Sequence, residues 1–318
     1  MLSPVARQLR DLEHAGELEL PDPGAGRTWE RWERLAGLAR RDTVLGRLAE
    51  AHADAVAILH ELDGPPPERA QLWGVWAAEP PSPVLDAIPD GDRVLLNGRK
   101  LWCSGASICD HALITARAGD ERALYAVDLR EPSVRVVPDT WHAVGMADSD
   151  SGAVEFDHTP AVVVGKPGEY LRRAGFWHGA IGVAACWYGA ACAVADPLHR
   201  KIAEGRSDEH GAAHLGAVAA VLHAAGAVLR GAAAEVDADP FDHRHTARLR
   251  ALRVRAVVEQ TATEVIDRVG RALGAGPLCA DPEHARRVAD LTVYLRQSHA
   301  ERDLAMLGHD VADQEEPW

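Results

Sequence analysis

Residues 94–102, VLLNGRKLW, decide the fold class. Two short apolar runs flank Asn97-Gly98. Asn-Gly between such runs predicts a tight hairpin, because a type I′ turn needs positive φ at both central positions. Further segments of strand length follow: HALITARA (111–118), ALYAVDL (123–129), SVRVVP (133–138) and GAVEFDHTPAVVVG (152–165). Polar residues, Gly or Pro separate them, and no helical stretch intervenes. Many short strands in a row predict an antiparallel β-barrel or sandwich, here over residues 71–166.

On either side of this block the periodicity changes. Residues 27–62 place Trp29, Trp32, Leu35, Leu38, Val44, Leu45, Leu48, Val56 and Leu59 at helical spacing, so residues 1–70 predict a helical domain. It stops at DGPPPE (63–68), where three prolines cannot continue a helix. Residues 167–318 are helical again. The stretch 175–202 is apolar nearly all round, as a buried helix is. With 211–236, 246–273 and 282–307 it makes four long Ala- and Leu-rich segments, which predict a four-helix bundle. The fourth segment includes SHAERD (298–303), read as part of one long helix.

Composition narrows the function. The chain has 318 residues, a formal net charge of −14, and ordinary globular proportions of 47% hydrophobic and 26% charged residues. Nucleic-acid binders present a basic face, so this balance points away from them. No uninterrupted apolar run reaches about 18 residues, so no membrane span is expected. MLSPVARQLRDLEHAG at the N-terminus lacks the apolar core of a signal peptide. Five cysteines (Cys103, Cys109, Cys186, Cys192 and Cys279) form no CxxC pair and point away from disulfides and zinc. The expectation is a reduced, cytoplasmic protein. His210 and His214 stand at i, i+4 without a third metal ligand in view, and no metal site is expected.

Helical block, β block and four-helix bundle, in that order, resemble the acyl-CoA dehydrogenase superfamily. WAAEPP (76–81) looks like that family's first flavin loop, commonly Thr-Glu-Pro. LNGRKLWCSGA (96–106) is similar to its L-N-G-x-K-x-W-I-T-N-G element, and GMADSDSGAVEFDHTPAV (145–162) to the element that follows. RALGAGPL (271–278) stands where the family has Q-x-x-G-G-x-G. The likeness covers about residues 70–308, and the N-terminal helical block is shorter than is usual.

The resemblance implies bound FAD. It places Trp76, Ala78, Trp102 and Ser104 around the flavin ring, and Arg271, Gly274 and Gly276 at a backbone approach to its phosphate or adenine end. Trp102 as an ordinary barrel Trp, and the glycine segment as a plain helix–helix turn, stay open as alternatives. In the family that glycine loop reaches a neighbouring subunit's flavin, so a homodimer or homotetramer is implied.

Thioester dehydrogenation needs a base for the α-proton, usually a carboxylate raised in pKa by an apolar pocket. Alignment puts the family's usual Glu near Ser298, and 296–299 hold no carboxylate. A minority of the family uses the first bundle helix, where the aligned residue is about Gly179, beside His178. His178 and His299 are therefore the candidate proton handlers. The flavin loop has Ala78 in place of Thr, and the family's Arg-x-x-Phe-Gly segment has no clean match, with Arg200 or Arg206 the nearest substitutes. The leading expectation is an FAD-dependent oxidoreductase acting on a CoA- or carrier-bound acyl thioester or related small molecule. A flavin-dependent monooxygenase on the same fold is the second. A non-catalytic homologue serving as a partner subunit is the third.

Overall fold

A computed structural model describes residues 3–314; residues 1–2 and 315–318, at the outer ends of the two helical blocks, lie outside that description. In chain order the elements are α1 (Pro4–His14), α2 (Thr28–Arg41), α3 (Thr43–Glu61), β1 (Trp73–Trp76), β2 (Leu85–Asp90), β3 (Arg93–Lys100), β4 (His111–Ala118), β5 (Glu121–Asp128), β6 (Val134–Val137) and β7 (Ala153–Val164). Then follow α4 (Glu169–Arg172), α5 (Ala174–Ala203), α6 (Glu209–Ala238), α7 (Ala247–Leu273), α8 (Gly276–Ala280), α9 (Pro282–Tyr294) and α10 (Glu301–Ala312). These fall into two compact units. The first takes the chain up to Leu20, then Arg47–Ala143 and Ala147–Phe176; the second takes Pro21–Gly46, Val144–Met146 and the chain from Trp177 onward.

In the first unit, β2, β3, β7, β5 and β4 close into a five-stranded barrel, with β1 added beside β4 and β6 beside β7. Side-chain alternation explains the burial. Ala112, Ile114 and Ala116 of β4, with Ala123, Tyr125 and Val127 of β5, fill the barrel beside Trp76, Leu96 and Phe156. The residues between them, Leu113, Leu124 and Ala126, face outward to pack with Ile58 and Leu59 of α3 and with Trp73 and Tyr170.

Two details depart from expectation. The barrel is not wholly antiparallel: β1 pairs with β4 in parallel, and so does β2, through Asp86 and Arg117. The hairpin turn is also elsewhere. β3 runs unbroken through Asn97-Gly98, and the turn is the two-residue loop Gly91-Asp92, between the paired Asp90 and Arg93. Gly98 instead sits at a bulge where the register with β7 shifts. Its φ is 127°, and a Cβ there would come within 2.5 Å of the Val84 carbonyl oxygen, so a glycine is required for bulge and close approach.

The second unit is helical. α5 and α2 meet backbone to backbone: a Cβ on Gly189 would lie 2.0 Å from the Ala36 carbonyl oxygen. The start of α2 is tied to α6 by Asp237, which accepts from Thr28 N at 3.1 Å and Thr28 Oγ1 at 2.6 Å. Contrary to the reading of the apolar runs, α5 and α6 are both long and apolar enough by length and composition to cross a membrane. The most apolar stretch of α5 is 72% buried, which makes it a core helix, whereas that of α6 is only 22% buried.

The fourth bundle segment is not one helix. After α9 the chain tightens into a 3-10 turn at Leu295–Gln297, leaves helical backbone at Ser298, and restarts as α10 at Glu301. Ser298 Oγ takes the amide of Ala300, and Asp303 takes the amide of His299. Local side-chain acceptors thus outcompete the helix at this point.

Candidate active site

Two clusters, one in each unit, carry the residues that the sequence singles out. In the first unit they lie on a pair of loops. Cys103 N donates to Gly152 O at 2.9 Å, Gly105 N to Ser149 O at 2.8 Å, and Ala106 N to Asp150 O at 3.1 Å. Asp150 also caps the tip, accepting from both the amide and the hydroxyl of Ser107. Trp102 stands at the root of this zipper with φ 57°, and 54% of its surface is exposed. A bulky residue in left-handed backbone costs on the order of 1–3 kcal/mol and persists only where its surroundings force it.

Beneath Trp102 the loop is polar. Ser104 is buried, its hydroxyl 2.9 Å from that of Ser151, which in turn lies 2.8 Å from that of Ser149. Trp76 is a buried support, its indole N–H donating to Ser104 O at 3.0 Å. Ala78 is half-buried, and the next residue, Glu79, turns into a charged knot. Lys100 Nζ donates to Glu79 Oε1 at 2.8 Å and to Thr115 O at 2.6 Å. Burial pushes the Lys100 ammonium below its usual range, and Glu79 pulls it partly back. This knot anchors the 76–81 loop to the barrel, and its signal was the lysine within LNGRKLW.

In the second unit the two histidines differ. His178 is 2% exposed, and its Nε2 bonds Pro240 O at 3.0 Å, which ties α5 to the loop after α6. His299 is the opposite: its side chain is 67% exposed, and its Nδ1 lies 3.3 Å from Asp303 Oδ1. A carboxylate does arrive at this turn from a helix that sequence alignment gave no reason to inspect. Glu259 of α7 accepts from Ser298 Oγ at 2.6 Å and from Arg296 at 3.2 Å. Arg271 is 63% exposed and reaches Asp267 at 3.4 Å. Gly274 has φ 70°, and neither it nor Gly276 has anything within 4 Å of a built Cβ. Arg206 pairs with Glu204.

The family model described as "Acyl-CoA dehydrogenase, middle domain" matches residues 80–159. The dibenzothiophene monooxygenase of Rhodococcus erythropolis is 30% identical over 189 residues, which are 51% of this chain and 45% of that protein, so the chain spans just under half the length of the curated relative. Dibenzothiophene monooxygenase (TdsC) from Paenibacillus sp. A11-2, whose structure with FMN and indole is solved, superposes with a TM-score of 0.77 at 19% identity, over 96% of this chain and 94% of that one. The chain thus has the acyl-CoA dehydrogenase-like fold, and its residues 80–159 match that superfamily's middle domain. A nitrososynthase from Micromonospora carbonacea var. africana also superposes, with a TM-score of 0.79 at 22% identity, over 98% of this chain and 90% of that one.

Within the superfamily fold, the first-unit cluster fits a flavin. It offers a strained, half-exposed indole face backed by a rigid, hydrogen-bonded loop, which is what a flat aromatic ring requires of a wall. Trp102 and Ser104 stand together there, with Trp76 supporting them from below. The second-unit residues do not gather: His178 is an internal tie, His299 faces solvent, and Arg271 and the glycines lie on an open surface turn. Glu259 and the Lys100–Glu79 knot are what sequence reading missed.

Proposed function

We propose that this chain is a flavin-dependent monooxygenase that takes FMN and acts on a small aromatic or heterocyclic substrate. One observation carries the reading: neither position that holds a base in thioester dehydrogenation has its own carboxylate, and Glu259, the carboxylate bonded to Ser298, is engaged at both oxygens by Ser298 and Arg296. Oxygen insertion has no need of an α-proton base. The relatives, named as monooxygenases, support this second expectation over acyl-thioester dehydrogenation.

When bound, the reduced flavin supplies the electrons with which dioxygen gives one atom to substrate and one to water. Trp102 provides the wall. His299 handles the proton: Asp303 holds Nδ1, which leaves Nε2 to give or accept it. FMN suits the chain better than FAD. Arg271 is occupied with Asp267, and no Arg-x-x-Phe-Gly segment stands ready for the second phosphate and adenine. The structure of TdsC with FMN supports the same choice. The chain works as a homo-oligomer, with the apolar outer face of α6 as the contact.

The visible spectrum of the purified protein, followed by FMN and FAD titrations, tests this first. An FMN band near one per chain, with fast reoxidation of the photoreduced complex in air, is the expected result. Flavin binding with reduced protein sheltered from oxygen would return the reading to a dehydrogenase. No binding of either flavin would make the chain a non-catalytic homologue. In an FMN-loaded protein, His299→Ala is expected to slow turnover of an indole or dibenzothiophene probe by about 10², with His178→Ala affecting stability more than rate.

A further inference from the structure

Ala300 has φ 46°, a backbone conformation rare for a residue with a side chain. Such strain survives only where neighbours over-determine it, and here they do. Ser298 Oγ donates to Glu259 Oε2 at 2.6 Å while accepting from Ala300 N at 3.1 Å. The other Glu259 oxygen accepts from Arg296 at 3.2 Å. His299 N donates to Asp303 Oδ2 at 3.1 Å. One turn before Glu259 on α7, Arg255 donates to Gln297 O at 3.4 Å and to Ala180 O at 2.9 Å, with its guanidinium 4.6 Å over the Trp187 ring. Arg255 and Glu259 stand at i, i+4, a spacing that often gives a simple surface ion pair. Instead, both reach across to residues 296–298.

We infer that Glu259 is a positioning residue: through Ser298 it fixes the turn that presents His299. The inference rests on the reading of His299 as proton handler. Glu259 is not itself the base. Both its oxygens are engaged, and its side chain is 17% exposed beside a cation. A carboxylate so paired acts as a fixed acceptor. Asp303 then sets the rotation of the imidazole, and Glu259 sets the height and direction of the backbone that carries it. Within one turn of Glu259 on α7 the other ionisable side chain is Arg255; Arg296 lies in the preceding turn, Glu301 and Arg302 join Asp303 in the first turn of α10, and further along Arg248 of α7 pairs with Asp310 of α10. None of these replaces the Ser298 contact.

The test uses the full chain loaded with FMN and compares Glu259→Ala, Ser298→Ala, Ser298→Thr and His299→Ala. Two readouts are taken: amide hydrogen exchange over residues 298–303, and the pH profile of reoxidation of photoreduced FMN. Glu259→Ala and Ser298→Ala are expected to speed exchange at residues 299–300 by about tenfold, the factor expected from losing one charge-assisted hydrogen bond. They should also flatten the pH profile as His299→Ala does, and Ser298→Thr should restore both readouts. Faster exchange with a wild-type pH profile would overturn the positioning role while leaving His299 in place. Unchanged exchange would overturn it too. A wild-type profile in His299→Ala would remove the proton-handler reading, and the positioning role with it.

Discussion

Trp102 combines backbone strain with an indole that stands half in solvent. Its φ of 57° and its half-exposed indole both cost stability. Glycine adopts that backbone without penalty. Trp102→Gly is therefore expected to leave the thermal midpoint unchanged within the equivalent of about 1 kcal/mol and to weaken FMN binding about tenfold or more. A titration beside a thermal melt would check both. A large loss of stability with FMN affinity intact would make Trp102 an ordinary barrel residue.

Among the elements, local reading succeeded where one periodicity governed a whole segment and failed where the deciding partner lay far away in sequence. β4 and β5 were legible because strict alternation feeds two different cores. Asn97-Gly98 misled because glycine serves a bulge as well as a turn. The true turn at Gly91-Asp92 carried its own Asp-Gly signal in Asp90-Gly91. SHAERD looked helical because its composition is helical, yet Ser298 and Asp303 satisfy amides that helix continuation would have used. Glu259 was invisible because nothing in its own neighbourhood says that α7 faces the 298 turn. Elements can also be released singly. His52 Nε2 on α3 lies 3.2 Å from Glu13 Oε2 on α1, and its Nδ1 accepts from Trp73 N. Burial alone would raise the Glu13 pKa, but the hydrogen bond from His52 holds it below the usual carboxylate value. The unfolded chain thus binds this proton more tightly. The stabilisation is present above the ordinary carboxylate range and is lost as pH falls through the lower, folded value. Hydrogen exchange in acid should show α1 loosening before the barrel strands, and Glu13→Gln should remove that pH dependence.

For the whole molecule, α6 raises the question of assembly. From His210 to Leu229 it carries no Asp, Glu, Lys or Arg. Ala212, Gly216, Ala219, Ala220, Ala224 and Ala227 are exposed along it. Exposed His223 shares this face; an uncharged helix face of this length suits an interaction surface, and small side chains let a second helix approach closely. Ala220→Glu is expected to shift the protein to a smaller species in sedimentation velocity while its circular dichroism stays the same. An unchanged sedimentation coefficient would place any assembly contact elsewhere.

The ring of strands has a consequence for where the chain can be cut. Closure depends on Val162, Val163 and Val164, which pair with Ala126, Tyr125 and Leu124. The stretch that matches the middle-domain family, residues 80–159, ends before them. A fragment trimmed to those limits would lose the seam between β5 and β7 and the whole of β1. It would be an opened sheet with two raw edges, prone to pairing with other copies of itself. The segment that evolution's pattern outlines is thus smaller than the segment that can close its own hydrogen bonds.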